Sequence, residues 1–361
     1  MQIVIKEAMA RAGAAPTTID RVIVGNCFAP LEQNIARISS LLLGLPYETP
    51  GHIINCACSS AMQAVITGAM AIELGNAGVV VAGGVESMSN APYILDSARW
   101  GQRLRHLQGK DLIWSSMQEY PVGGGMGVAA ERLAEKYSLT RQDLDELALS
   151  SHRRAVRAIE ERRFQREIVP LEVSAGKGRK VVVDTDEHPR AETTMETLAV
   201  LKPAFKEGGV VTPGNASSLN DGAGAVVIAS ERRAKELGLP ILARLTAHSF
   251  VAVDPHLVGI APIPAIRQLL ERTGYSLGDV QLFEINEAFA SYYLSCEREL
   301  DLNRDITNVN GSGISLGHPV GSTGCRILVT LYYEMERQGL ERGIASLCAG
   351  GGVGTGIFLE R

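Results

Sequence analysis

Four polar residues stand in glycine- or turn-rich stretches that follow apolar, strand-like runs: Cys58, Asn286, His318 and Cys348. Together they could carry out acyl transfer through a cysteine. A thiolate needs a base to take its proton, and an imidazole does that near neutral pH. An amide or a pair of backbone N–H groups can then hold an oxyanion. His318 lies between Gly317 and Pro319, in a loop with glycines at 311, 313, 317, 321 and 324. That density of glycine lets backbone approach a ligand closely. Taken singly, each residue has a plainer reading. Cys58 could be a small buried thiol under a helix, and His318 a solvated or structural imidazole. Glycine runs can also cradle phosphate, but no G-x-G-x-x-G, GKS or GKT sequence occurs, so a dinucleotide or P-loop site is not indicated.

The element that must position Cys58 runs from Gly51 to Ser89 and reads as strand, tight turn, helix, strand. His52–Asn55 is a short apolar run, and Ser59–Leu74 carries Ala61, Val65, Ala69 and Ile72 at helical spacing before Gly75. Val79–Ala82 is a second apolar run, closed by Gly83 and Gly84. Cys58 falls at the helix N-terminus, where unpaired N–H groups and the helix dipole favour thiolate over thiol.

The alternation extends along the chain. Ile3–Ala12 reads as a helix ended by Gly13, Arg21–Cys27 as a strand and Asn34–Leu43 as a helix. From Asn90 to Gly208 the β/α rhythm breaks. Helices are expected over Val128–Tyr137 and Thr140–Arg163, and a short strand pair over Ile168–Val173 and Lys180–Asp184. The second helix opens with a capping-box-like Thr140-Arg-Gln-Asp143. The alternation returns with a buried strand before Ser230, then Glu231–Leu237 (helix), Ile241–Val251 (strand), Ile263–Arg272 (helix), Asp279–Glu284 (strand) and Asn286–Glu299 (helix). A second strand–loop–helix–strand unit begins at ITNVN and runs through GSGISLGHPVGSTG to the chain end. VVVAGGVES beside ASLCAGGGV points to two similarly folded halves. The expected fold is α/β, with largely parallel sheets covered by helices and functional loops at the carboxyl ends of strands.

The 361 residues are 45% hydrophobic and 21% charged, enough apolar content for sizeable cores in two or three domains. A net charge of −5 implies no global attraction to nucleic acid or membrane. The opening MQIVIKEAMARAG carries charges in a helical pattern unlike a signal peptide, and no apolar run is long enough to span a bilayer. The six cysteines form no CxxC pair and no zinc spacing. Free thiols in a reducing cytoplasm are therefore expected, with no metal.

The chain resembles the thiolases, the family that includes acetyl-CoA acetyltransferase and 3-ketoacyl-CoA thiolase. The resemblance spans nearly the whole chain and rests on NCACSSAMQA (55–64), AGGVESMS (82–89), TPGNASSLNDGAGA (212–225), NEAFA (286–290), and GSGISLGHPVGSTG (311–324) with CAGGGVG (348–354). It implies two α/β/α/β/α halves with an inserted loop domain that holds coenzyme A. The N-terminal half would comprise 1–89 and 209–238, the insert 90–208, and the C-terminal half 239–361. It also implies roles. Cys58 matches the acylated nucleophile and His318 the base that activates it. Cys348 matches the cysteine that moves the α-proton, and Asn286 holds a water in the first oxyanion hole. The N–H groups of Cys58 and Gly350 match the second hole. Coenzyme A and acyl-CoA would be substrates, with no separate cofactor, and the family forms homodimers or homotetramers.

Departures bear on substrate. Ala61 stands where Gly is usual, Pro213 replaces a common Ala, Gly125 occupies a position where acetoacetyl-forming members tend to carry His, and Ala247 falls near a usual Ser. The family also begins with an additional apolar strand and an Arg-Thr loop, both lacking here. That strand is expected in the middle of the first sheet, beside the strand leading to Cys58. Its absence would leave ladder partners missing on both sides, so the chain is expected to be a shortened form, poorly soluble or inactive. In the insert, Ser151 to Arg190 holds ten Arg or Lys against seven Asp or Glu, read either as a solvated face or as a surface for the phosphates of coenzyme A. Three rivals stand beside the thiolase reading. A ketoacyl synthase would use His partners where Cys348 stands. A silent CoA- or lipid-binding paralogue would not need the intact four-residue set. A cysteine hydrolase is permitted by Cys and His alone but runs against the resemblance.

Overall fold

The computed structural model describes residues 1–29, 33–104, 106–174, 176 and 178–361. Eight strands build two sheets: β1 (Arg21–Gly25), β2 (Gly51–Ile54), β3 (Val79–Ser87), β4 (Asp221–Ala229), β5 (Arg244–Ala252), β6 (Leu282–Ile285), β7 (Arg342–Ala349) and β8 (Val353–Glu360). The first sheet has the order β2-β1-β3-β4 and the second β6-β7-β8-β5. Both are mixed rather than largely parallel. β1 runs parallel to β2 and β3, but β4 is antiparallel to β3. β6 is parallel to β7, while β8 is antiparallel to both β7 and β5. The second sheet gains its antiparallel character from a tight connection at Gly350–Gly352. Gly351 and Gly352 have φ of 88° and 80°, and this turn sends the chain straight back.

The two halves share a central layer. The Ser60–Glu73 and Thr323–Gln338 helices lie between the sheets, and one apolar cluster joins Ile23, Met62 and Val80 to Ile327, Leu347 and Ile357. The helices come close because Gly324 has no side chain: a Cβ there would sit 2.5 Å from Met62 N. Outside the first sheet, Ile5 and Met9 of the Gln2–Ala12 helix pack on Val22, Val24 and Val79. Outside the second, Leu133, Leu144 and Leu147 of the insert join Ile266, Phe283 and Phe358. The insert's Met126–Lys136 and Arg141–Glu160 helices thus share a core with the second half. Thr140 caps the latter in the expected capping box.

Several expected boundaries move. β3 does not stop at Gly83 but continues to Ser87. A Cβ on Gly83 would lie 2.0 Å from Gly224 O, and one on Gly84 2.1 Å from Gly321 O, so these glycines mark close backbone approach inside a strand. The helix expected from Asn286 starts at Ala290, because residues 286–289 leave the end of β6 in an extended path bridged by Phe289 to Ala216. ITNVN forms no strand, only isolated bridges from Thr307 to Phe283 and from Val309 to Gly311. The expected gap in the middle of the first sheet does not exist. β1 pairs on both sides, and the side without a strand among the described residues is the outer edge of β4. There a groove of about 970 Å³ runs beside β4, lined by Val4, Ala8, Val227, Leu239, Leu328 and Tyr332. In the second sheet the corresponding antiparallel strand, β8, is covered by β5.

Candidate active site

Cys58 is presented by a strained turn. Ala57, just before it, has φ 47°, a left-handed conformation that costs a non-glycine residue energy. Local bonds hold it there: Ser60 Oγ donates to Ala57 O at 2.6 Å and accepts from Cys56 N–H at 2.9 Å, and Cys27 Sγ donates to Ala57 O at 3.2 Å. The helix begins only at Ser60, so Cys58 projects from the turn ahead of it. The backbone amides of Gly350 and of Cys58 itself favour the Cys58 anion, but burial outweighs them and pushes the thiol up to about 11. The expectation of a resting thiolate is therefore corrected. The amides are in place, yet the crowding around the sulfur keeps its proton on.

His318 is 4% exposed, and its loop is tied down at both ends. Its backbone N–H donates to Asn220 Oδ1 at 2.9 Å, and the neighbouring Gly317, at φ 92°, leaves room for that side chain. A Cβ on Gly317 would lie 2.5 Å from Asn220. Two residues on, Val320 packs into one apolar cluster with Cys58, Phe28 and Met88. Burial, reinforced by the charge of Arg326, lowers His318 to about 3, so its ring is neutral at ordinary pH. Asn286, at the carboxyl end of β6, places Nδ2 3.4 Å from His318 Nδ1 and 3.5 Å from Nε2.

Cys348 is the penultimate residue of β7, across from Gly354. Burial holds its thiol well above the usual range, and the nearby Cys58 adds to that. Tyr292 feels both sulfurs and donates its hydroxyl to Met126 O at 2.8 Å. Beyond the turn, Gly350 faces Ala57, with Tyr120 and Met126 around it. Cys58, Cys348 and Gly350 thus come together, and Asn286 meets His318. The two groups are joined through the Cys58–Val320 cluster, and Thr355 Oγ1 donates to Ser59 Oγ at 3.1 Å.

Sequence reading overlooked Glu86. It is 2% exposed, and its carboxylate accepts from the N–H groups of Cys27 (3.0 Å), Phe28 (3.1 Å) and Gly321 (3.0 Å), and from Asn26 Nδ2 (3.2 Å). It fastens the His318 loop to the first sheet. A carboxylate inside the glycine-rich, apolar strand AGGVES was the available signal, because a buried charge needs partners. Part of the basic stretch of the insert is engaged elsewhere. Arg154 donates to the carbonyls of Thr307 and Arg304, Arg163 pairs with Glu161 and Asn310, and Arg166 and Lys180 pair with Glu336 and Glu172. Lys177 lies outside the described residues. Arg153 and Arg157 line an open pocket with Arg154.

Residues 1–232 match the thiolase N-terminal domain family and residues 239–361 the thiolase C-terminal domain family. The chain belongs to the thiolase family. This thiolase is 46% identical to the acetyl-CoA acetyltransferase of Pseudomonas aeruginosa, over 99% of this chain and 92% of that protein. It is 44% identical to a probable acetyl-CoA acetyltransferase of Escherichia coli, over 99% and 92%. The crystal structure of the Bacillus anthracis acetyl-CoA acetyltransferase superposes with a TM-score of 0.96 at 50% identity, covering 99% of this chain and 91% of that one. Human mitochondrial 3-ketoacyl-CoA thiolase in complex with CoA gives 0.96 at 41% identity, covering 99% and 90%. The function is accordingly that of a thiolase-type acyltransferase. No described helix is long and apolar enough to cross a membrane.

Proposed function

We propose that this thiolase works through an acyl group carried on Cys58, running thiolysis of 3-ketoacyl-CoA or condensation of acetyl-CoA. Cys58 attacks the thioester carbonyl as its proton passes to His318. The tetrahedral oxyanion collapses, the bond to the CoA sulfur breaks, and that sulfur takes the proton back. The acyl-enzyme is itself a thioester, so the exchange is close to balanced and reversible. In the second half-reaction Cys348 moves the α-proton of the incoming or departing acetyl group. The amides of Cys58 and Gly350 stabilise one oxyanion, and a water held by Asn286 beside His318 stabilises the other. One such donor is worth roughly 2.7–4 kcal/mol of barrier.

The observation that carries this reading is the convergence of the Gly350 turn and Cys348 on Cys58, whose anion the nearby amides favour. Coenzyme A and acyl-CoA are the substrates, without metal or nicotinamide, and the compartment is the cytoplasm. Assembly as a homodimer or homotetramer is supported by apolar side chains that the insert leaves in water, with Trp100 88% and Leu104 84% exposed. The test is incubation with acetyl-CoA followed by intact-mass analysis and peptide mapping. One acetyl group should appear on Cys58 and none in Cys58→Ser. An acetyl group on Cys56 instead would sink the assignment.

A further inference from the structure

A neutral imidazole carries one N–H and one lone pair, and its neighbours decide which nitrogen has which. For His318 to take a proton from Cys58, the nitrogen facing the thiol must be the bare one. Nδ1 lies 2.7 Å from Thr323 Oγ1. Thr323 is fully buried, and its hydroxyl also lies 3.0 Å from the carbonyl oxygen of Pro319. The hydroxyl donates its one hydrogen to Pro319 O, which leaves a lone pair of Oγ1 facing Nδ1. The side chain of Asn286 does not decide the matter, since its distances to the two ring nitrogens are long and nearly equal. The same turn fixes both partners: the N–H groups of Ser322 and Thr323 also reach Pro319 O, at 2.8 and 3.0 Å.

We propose that Thr323 is the positioning residue that sets the tautomer of His318, keeping the proton on Nδ1 and leaving Nε2 as the base for Cys58. The inference rests on the reading of His318 as that base. The proton account closes without Thr323 losing or gaining a proton. The Cys58 S–H proton goes to Nε2 as the sulfur–carbon bond forms. The imidazolium shares its Nδ1 hydrogen with Oγ1. When the bond to the CoA sulfur breaks, the Nε2 proton goes to that sulfur. Thr323 matters because an imidazole with its proton on Nε2 keeps its lone pair on Nδ1, beside Thr323, and has none at Nε2 for the thiol.

The test compares Thr323→Val, Thr323→Ser and His318→Ala in the full chain. The readouts are single-turnover acetylation of Cys58 by acetyl-CoA, the acetyl-CoA dissociation constant and the thermal midpoint. Nitrogen NMR of histidine-labelled wild type reports the tautomer directly. Thr323→Val removes the acceptor while keeping the shape. It should lower the acetylation rate constant by about a hundredfold with binding unchanged, and Thr323→Ser should restore most of it. The wild-type ring should be protonated on Nδ1. Acetylation at the wild-type rate in Thr323→Val, with His318→Ala inactive, would overturn the proposal alone. His318→Ala acetylating normally would instead overturn the reading beneath it. Should Thr323→Val not fold, the wild-type spectrum still decides, and a proton found on Nε2 refutes the inference.

Discussion

Replacing Glu86 by Gln changes one atom at the seam between the halves, and the structure sets its cost. One carboxylate oxygen accepts from Cys27 N–H and Gly321 N–H, the other from Phe28 N–H and Asn26 Nδ2. A glutamine must turn its NH2 toward one of these pairs, so two donors lose their acceptor and face another donor. Each buried donor left unpaired costs about 1–3 kcal/mol, giving about 2–6 kcal/mol in all. Against a total stability of about 5–15 kcal/mol, that is a large loss without certain unfolding. Whichever way the amide turns, one side of the 26–28 loop or the His318 loop is released. Glu86→Gln should therefore lower the urea midpoint and also slow Cys58 acetylation, with the slope of the urea transition unchanged. Glu86→Ala strands all three backbone donors and should be less stable still. Urea unfolding followed by tryptophan fluorescence, with single-turnover acetylation on the same samples, checks both. A Glu86→Gln enzyme within about 0.5 kcal/mol of wild type in stability, acetylating at the normal rate, would refute the idea that this carboxylate holds the site together.

Three further outcomes follow from the site. Cys348→Ala should still be acetylated at Cys58 but fail in condensation and thiolysis; loss of acetylation, with circular dichroism unchanged, would contradict that division of labour. With His318 lowered to about 3 and the Cys58 thiol raised to about 11, the resting pair is neutral, so the acetylation rate should show no break near the usual histidine value. A clear inflection between about pH 6 and 7 would oppose it. Burial raises Glu167 to about 8, so its stabilising neutral form is fully present below the ordinary glutamate value and is lost as pH rises through 8. Glu167→Gln should flatten the fall in urea midpoint between pH 6 and pH 9, and an unchanged fall would remove Glu167 as its source.

The candidate site residues stand out in the amino-acid sequence because each sits in a block of glycine and small residues after an apolar run. Helix limits were readable where caps are written in side chains, as at Thr140 and Asn34. What escaped depended on tertiary proximity. Gly83 and Gly84 look like a strand end in one dimension, and only the backbones of Gly224 and Gly321 pressing on them explain a strand that continues. Asn286 reads as helical by its spacing, yet pairing of Phe289 with Ala216 draws residues 286–289 out of the helix. The protonation of Cys58 could not be read from its place before a helix, since burial opposes the amides and the residues it packs with, such as Phe28 and Val320, lie far along the chain. Thr323 is an ordinary residue until its hydroxyl is seen between a carbonyl and an imidazole.

The outer edge of β4 has a consequence for handling the protein. Among the described residues no strand covers this edge, so the nine residues Asp221–Ala229, none of them a lysine or a proline, offer ladder groups beside an apolar groove. A second molecule can satisfy the same groups, so self-association competes with closure of each chain upon itself. That competition is second order in protein. Refolding yield should consequently fall as concentration rises, and light scattering should grow faster than linearly with it.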